Sequence, residues 1–370
     1  MALSSVELPG RPIEFTVSEV TGAIGDSVTV VPLIVALAAT TDVSLAHIFV
    51  GFGVFQIVWG LVYGMPMSLE PMKALVGLAI VGSLSAPELA GAGLLAGAAL
   101  LVAGRMGLVG RLEAIVGEPV VRGIQLAVAL LLLEAAFDLS MASMPVALLG
   151  VALVIALSLV GFRRASALVV LGIGGGVAVF AYGVPTPRLP ALALFPSGVP
   201  TLTTGALEGM VAQLGMTLGN AAIATALLSA DLYDRRVSPD DLAQSMGATC
   251  LAAIPAGGLP MCHGSGGLAG KYAFGARTAG ANLILGGGYL ALALVVTGGL
   301  LAAFPLALLG VLLAVVAVEL GRSALAPLSG SREWAVVLGV ALVGAFVNIG
   351  IALVAGLLVW LVLEQASTGA

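Results

Sequence analysis

From about Val17 to Leu363 the chain passes through one apolar run after another, and its charged residues are confined to the short gaps between them. A bilayer crossing needs about 20 apolar residues, so roughly fourteen crossings fit. No stretch is left over for a sizeable water-soluble domain. Charged residues make up 9% of the 370, against about 25% in a soluble domain, so the chain lacks the polar surface that would keep it in water. The same composition excludes other classes. No basic cluster exceeds two residues, which argues against nucleic-acid binding. The two cysteines, Cys250 and Cys262, are too few for a disulfide framework; Cys250 reads as a small apolar filler, whereas Cys262 lies inside a polar motif. No nucleophile constellation or metal-ligand cluster is legible, so neither an enzyme, a cofactor nor a metal is expected. The arm from Met1 to about Thr16 is short and polar, without the basic start and apolar core of a cleavable signal peptide.

The charges that remain set an orientation. With a cytoplasmic N-terminus and fourteen spans, five loops carry the basic residues: Arg105 and Arg111, Arg163 and Arg164, Arg235 and Arg236, Arg277, and Arg322 with Arg332. All five fall on the cytoplasmic side. The opposite loops hold Asp42, Glu88, Asp138 and a lone Arg188. Cytoplasmic loops of membrane proteins carry the excess of Lys and Arg, so both termini are expected in the cytoplasm and the protein in the inner (plasma) membrane.

An internal repeat runs at an offset of 194 residues. Gly25-Asp26 is matched by Gly219-Asn220, and Gly64-Met65-Pro66-Met67 by Gly258-Leu259-Pro260-Met261. Glu14 and Glu208, Val17 and Val211, and Gly53 and Gly247 keep the same spacing. Seven spans separate equivalent points, and an odd number forces the second half to run upside down. The expected fold is therefore all-α and polytopic, with about fourteen spans in a seven-plus-seven inverted repeat, an arrangement that many secondary transporters use. The first repeat covers residues 1–200 and the second 201–370.

Spans three and ten are interrupted. The stretches around Met65-Pro66 and Glu70-Pro71, and from Gly257 to Gly267, carry too much Pro and Gly for a continuous helix. Irregular backbone at membrane depth survives only inside protein or beside a water-filled cavity. The spacing predicts an extended entry followed by a half-helix, at about 70–81 in the first half and 265–276 in the second. Pro71 suits a first helical turn, and Lys73 then sits one turn in. Inversion brings the two half-helix N-termini together near the midplane. Free N–H groups and the positive dipole end there form an anion site.

The candidate site residues follow from that geometry. Glu70, Pro71, Met72 and Lys73 lie at one half-helix start, and His263, Gly264, Ser265, Gly266 and Gly267 at the other. The glycines let an anion approach the backbone, or else serve close helix packing. Lys73 adds positive charge, or is a structural lysine. Asp26 and Asn220, with Thr29, Gln213 and Thr217, line the cavity; alternatively Asp26 bonds the unwound backbone. A lone buried His such as His263 is more often a satisfied core residue than a ligand. Glu70 and Asp26 are the proton-coupling candidates, because intramembrane ionisable residues are functional by default. Alternatively Glu70 pairs with Lys73 and is structural. Glu134 and Glu319 fall near span ends, and Tyr63 and Phe274 read as packing.

These motifs resemble the molybdate transporter family of the sulfate permease superfamily. That family shows Tyr-Gly-x-Pro-Met-Pro-Val-Gln-Pro-Met-Lys-Ala where this chain has the run from Tyr63 to Ala74. Its second pattern, Pro-x-Cys-His-Gly-x-Gly-Gly-Leu-Ala-x-x-Tyr-x-Phe-Gly-Ala-Arg-Thr, matches Pro260 to Thr278. Gly22-Ala23-x-Gly25-Asp26 leading to Pro32 is also similar. The resemblance implies a core domain of spans 1–4 and 8–11 (residues 12–106 and 205–302) and a gate domain of spans 5–7 and 12–14 (residues 107–190 and 303–366). It implies no cytoplasmic regulatory domain, and leaves a homodimer as an open expectation. One departure bears on the substrate: Glu70 replaces the family's Gln, and Ser68 its Pro. The expected function is secondary transport of a small oxyanion, molybdate first, with the anion held between the two half-helix N-termini and with possible proton symport. Sulfate or another oxyanion, a nucleobase or organic anion, and an anion channel are the competing readings.

Overall fold

The computed structural model describes residues 5–8, 11–111, 117–191 and 193–368. Residues 1–4, 9 and 10 of the polar arm lie outside them. The rest of the arm forms an antiparallel hairpin of β1 (Ser5–Leu8) and β2 (Arg11–Glu14). Fourteen helices of eight residues or more can be followed through the described residues. The first half holds α1 (Val17–Thr40), α2 (Leu45–Tyr63), α3 (Lys73–Ile80), α4 (Ala86–Arg105), α5 (Glu118–Ser140), α6 (Met144–Leu159) and α7 (Ser166–Tyr182). The second holds α8 (Thr204–Tyr233), α9 (Pro239–Ala253), α10 (Ser265–Ala273), α11 (Gly280–Val295), α12 (Leu306–Leu325), α13 (Ser331–Phe346) and α14 (Ile349–Thr368). Six helical runs are long and apolar enough to cross a membrane: α1, α2, α4, α8, α12 and the stretch Glu118–Leu159. That last stretch divides at Ser143, whose backbone is extended ahead of Pro145.

Local chemistry fixes several helix starts. Thr16, Thr203 and Ser238 accept from the amides of Glu19, Ala206 and Asp241 at the heads of α1, α8 and α9. Ser85 and Glu88 form a reciprocal capping box on α4. These caps satisfy amides that helix geometry leaves without an intrahelical partner. α2 stops at Gly64, which takes the left-handed conformation, φ 62°, open to glycine at little cost.

Helix starts repeat at the offset seen in the sequence. α2 and α9 begin at Leu45 and Pro239, α4 and α11 at Ala86 and Gly280, each pair 194 residues apart. Packing follows the same rule. α2 lies along α11 and α4 along α9; α1 meets α10 and α11 as α8 meets α3 and α4; α5 and α12 pack on each other. Exchanging each helix for its counterpart in the other half turns every one of these contacts into another of them. Glycines set the two main crossings. A Cβ on Gly53 would stand 2.9 Å from the Gly286 carbonyl, and one on Gly97 3.2 Å from the Gly247 carbonyl. Small residues at such crossings let helix backbones approach closely.

The interrupted segments are present, with shifted boundaries. The first half-helix runs Lys73–Ile80 rather than 70–81, and the second Ser265–Ala273 rather than 265–276. Pro71 lies in the two-residue strand β3 (Glu70–Pro71), not in a helical turn, and Lys73 is the first helical residue rather than one turn in. The cause is β4 (Met261–Cys262), which pairs antiparallel with β3 and holds that backbone extended. α10 ends early because Gly275 turns the chain at φ 104°. α8 contains a π-helical stretch, Thr217–Ala224, so the interruption marked by Gly219-Asn220 is real. Its counterpart around Asp26 stays regular α-helix.

Candidate functional site

The site is built where the two interrupted segments cross. Glu70 faces Cys262 and Pro71 faces Met261, and the Met72 amide donates to the Pro260 carbonyl at 2.9 Å. The short ladder satisfies buried backbone that neither half-helix can reach. It also brings the heads of α3 and α10 to the same place.

Each head is capped from across the crossing. On α3, the Ala74 amide donates to Gln213 Oε1 at 2.9 Å, and Gln213 Nε2 donates to Thr217 Oγ1 at 2.9 Å. On α10, the Gly267 amide donates to Glu70 Oε1 at 2.8 Å. The other oxygen of Glu70 accepts from the Lys73 ammonium. A carboxylate therefore already sits at the positive end of α10, between a helix amide and a lysine. Of the two roles open to Glu70, pairing with Lys73 is the one seen, but the pair lies inside the site. Ser265 Oγ donates to Asn220 Oδ1 from the π-helical stretch of α8, a register often found at functional sites.

The glycines divide into two kinds. Gly264 and Gly267 are buried. A Cβ on Gly264 would fall on the Glu70 carboxyl group, and one on Gly267 on oxygens of Ser68, Asp26 and Glu70. They make room for the protein's own polar atoms. Gly266 is exposed, with nothing within 4 Å of a Cβ. With half-buried Ser265, Asn220 and Lys73 it forms the accessible edge of the site. Pro71 and Met72 are buried beneath that edge.

Behind the edge lies a second polar cluster. Asp26, 1% exposed, accepts from Ser68 Oγ at 3.0 Å and Gln56 Nε2 at 3.2 Å, and its Oδ2 stands 3.2 Å from the Lys271 ammonium. It thus binds the side chain of the extended segment rather than the accessible edge. Lys271 also donates to Gln56 Oε1 at 3.0 Å, Met67 O at 2.8 Å and Asn282 Oδ1 at 2.8 Å. Sequence reasoning missed Lys271, Gln56 and Asn282. The signal for Lys271 was available, as a cationic residue within a span. Glu19 was missed as well: it accepts from the amides of Arg277, Thr278 and Ala281 at 2.9–3.1 Å and so caps α11.

His263 is fully buried and set apart from the edge. Its Nδ1 pairs with Ser68 O at 2.9 Å and its Nε2 with Ser245 Oγ at 2.7 Å. The rings of Trp59 and Tyr63 stand edge-on to it. It is placed as a satisfied core residue, and Tyr63 as its packing partner. Thr29 is half-buried on α1, while Glu134 is exposed and Glu319 meets Arg163 at 3.2 Å on the surface. Among the described residues no group of three or more His, Cys, Asp or Glu is placed to hold a metal ion.

Crossed half-helices between two exchanged sets of helices are an architecture that secondary transporters use. Two solved structures share the arrangement. The transmembrane domain of a cyanobacterial bicarbonate transporter, BicA, superposes with a TM-score of 0.66 over 92% of this chain and 97% of that one, at 17% identity. The murine Solute Carrier 26 family member A9 anion transporter, in its inward-facing state, gives 0.70 over 98% of this chain and 70% of that one, at 14% identity. The family described as "Molybdate transporter of MFS superfamily" matches residues 18–132 and 205–320, one stretch of nearly equal length in each half. Molybdate transporter 1 of Arabidopsis thaliana is 30% identical over 95% of this chain and 89% of its own length. Molybdate transporter 2 of the same plant is 28% identical over 83% and 78%. The chain belongs to the molybdate transporter family, whose members named above are transporters and not enzymes.

Proposed function

We propose that the protein is a secondary active transporter of a small oxyanion, molybdate first, working by alternating access. The observation that carries this reading is the Glu70 carboxylate, held between the Gly267 amide and Lys73. A place that holds one anion by a helix end and an ammonium suits another. The incoming oxyanion meets the amides of Ser265 and Gly266, which have no intrahelical acceptor, together with Lys73 and Ser265 Oγ. That two relatives are molybdate transporters supports molybdate among tetrahedral dianions of similar size.

Glu70 then links the anion to a proton. At ~4 Å two like charges repel by about 4 kcal/mol at an effective dielectric of 20, and a dianion doubles that. Protonating Glu70 removes the repulsion, leaves its carbonyl oxygen on the Gly267 amide, and frees Lys73 for the substrate. Anion and proton binding favour each other, which is symport by linkage. In this reading the core (residues 12–106 and 205–302) carries the site past the gate (residues 107–190 and 303–366) through fourteen spans in a plasma membrane, with both termini cytoplasmic. The test is uptake of labelled molybdate and of labelled sulfate into proteoliposomes, each competed by the other, with and without an inward proton gradient. Molybdate uptake that sulfate does not suppress, and that the gradient stimulates, is expected. Uptake of neither anion ends the proposal.

A further inference from the structure

The surroundings of Lys271 have the form of a cation site. Four oxygens converge on its ammonium: Asn282 Oδ1 and Met67 O at 2.8 Å, Gln56 Oε1 at 3.0 Å and Asp26 Oδ2 at 3.2 Å. They come from four separate elements: α11, the extended segment before β3, α2 and α1. Every contributing side chain is buried, at 1% exposure or less. One carboxylate and three neutral oxygens suit a single positive charge. The cage is braced independently of the lysine, because Asn282 Nδ2 donates to Gln56 O and to Met67 O, both at 2.9 Å. Ser68 and Gln56 hold Asp26 in place as well. A shell of hard oxygens around one charge is how proteins bind small cations.

We propose that this cage is a monovalent-cation site that the chain fills permanently with its own ammonium. The lysine neutralises Asp26 and ties α1, α2 and α11 to the backbone just before the oxyanion-binding edge. A tethered cation cannot dissociate, so it delivers no net charge across the membrane in a complete cycle. Transport by the intact protein therefore needs no sodium or potassium, and coupling falls to another group. Removing the side chain at Lys271 leaves Asp26 charged among three vacant oxygens, and free Na+, K+ or NH4+ then enters.

The test pairs a binding readout with a transport readout, so that it stands apart from the assignment of substrate. Purified protein in detergent is melted in chloride salts of choline, Na+, K+ and NH4+ at constant ionic strength. Wild type should melt at one temperature in all four. Lys271→Ala should melt lower in choline and be restored by one of the small cations, by roughly 2–4 °C when that cation is about ten times its Kd. In proteoliposomes, wild-type uptake should ignore the replacement of Na+ by choline, while Lys271→Ala should regain uptake about tenfold in its stabilising cation. The double variant Asp26→Asn, Lys271→Met removes both charges; it should fold and show no cation dependence. Cation-dependent melting or uptake in wild type overturns the proposal. So does a folded Lys271→Ala that no cation stabilises. If Lys271→Ala does not fold, Lys271→Gly with added methylammonium replaces it, and failure of methylammonium to restore folding overturns the proposal equally. If uptake fails for every anion while the melting pattern holds, the substrate reading falls and the cation site stands.

Discussion

At the scale of single residues, the site rests on side chains that serve the backbone of the opposite half. Gly266 is the exposed residue of the accessible edge, so it separates binding from folding. It has open space around a Cβ, with nothing within 4 Å, so Gly266→Leu adds bulk at the edge rather than in the core. Melting should be unchanged while uptake falls at least about tenfold, a loss of ~1.4 kcal/mol in transport-competent binding. Uptake at the wild-type level in that variant removes the edge from the site. Glu70→Gln keeps an acceptor for the Gly267 amide but gives up the charge that holds Lys73. It should bind anion and lose the stimulation of uptake by a proton gradient. If the gradient still stimulates the variant in full, Glu70 is not the proton site; if it never stimulates the wild type, transport is not proton-coupled. The sequence showed which residues cluster but not how they pair. Glu70 and Gly267 are 197 positions apart, and nothing local to either names its partner. Lys271 lies in a Gly-rich run whose local pattern says nothing of its partners. The rule that a charge inside a span has a function or a partner would have found it.

At the scale of elements, the interrupted segments were legible because Pro clashes with a helix interior and Gly weakens it entropically. Their boundaries were not. Pro71 suits a helix start as well as it suits an edge strand, and only the pairing with Met261 decides between them. The helix crossings yield another expectation. Gly247 lies where a Cβ would be 2.7 Å from the Leu101 amide nitrogen. Gly247→Leu should force α4 and α9 apart and destabilise the protein by about 1–3 kcal/mol. Thermal melting in detergent measures it, and an unchanged midpoint means that the crossing is looser than it is drawn. The π-helical stretch in α8 was hinted at by Gly219-Asn220, but a matching break at Asp26 did not follow. There Ser68, Gln56 and Lys271 satisfy the polar side chain without disturbing the helix.

For the whole molecule, the offset of 194 residues foretold the exchange pattern of helix contacts, since a repeat that packs on its own copy has few other choices. The proposed division into core and gate makes a further expectation. Asn348, in the turn between α13 and α14, donates to Glu208 of α8 at 2.7 Å, and a Cβ on Gly350 would lie 2.8 Å from Glu208 Cβ. That is within a small adjustment of disulfide reach. Oxidising Glu208→Cys, Gly350→Cys should block uptake and reduction should restore it, because the native Cys250 and Cys262 are buried. Unimpaired uptake by fully cross-linked protein means that the two bodies do not move past each other at this contact.

The ladder between β3 and β4 also bears on how the protein is made. The strand Glu70–Pro71 finds its backbone partner only at Met261–Cys262. During synthesis the first half must wait, with that stretch unmatched, until about 190 more residues have left the ribosome, which at 5–20 residues per second is on the order of 10–40 seconds. A nascent chain in that interval presents the kind of bare peptide groups that insertion chaperones and membrane proteases recognise. Halves produced as two polypeptides would each be degraded alone and rescued together, so abundance in co-expression would report how well one half completes the other.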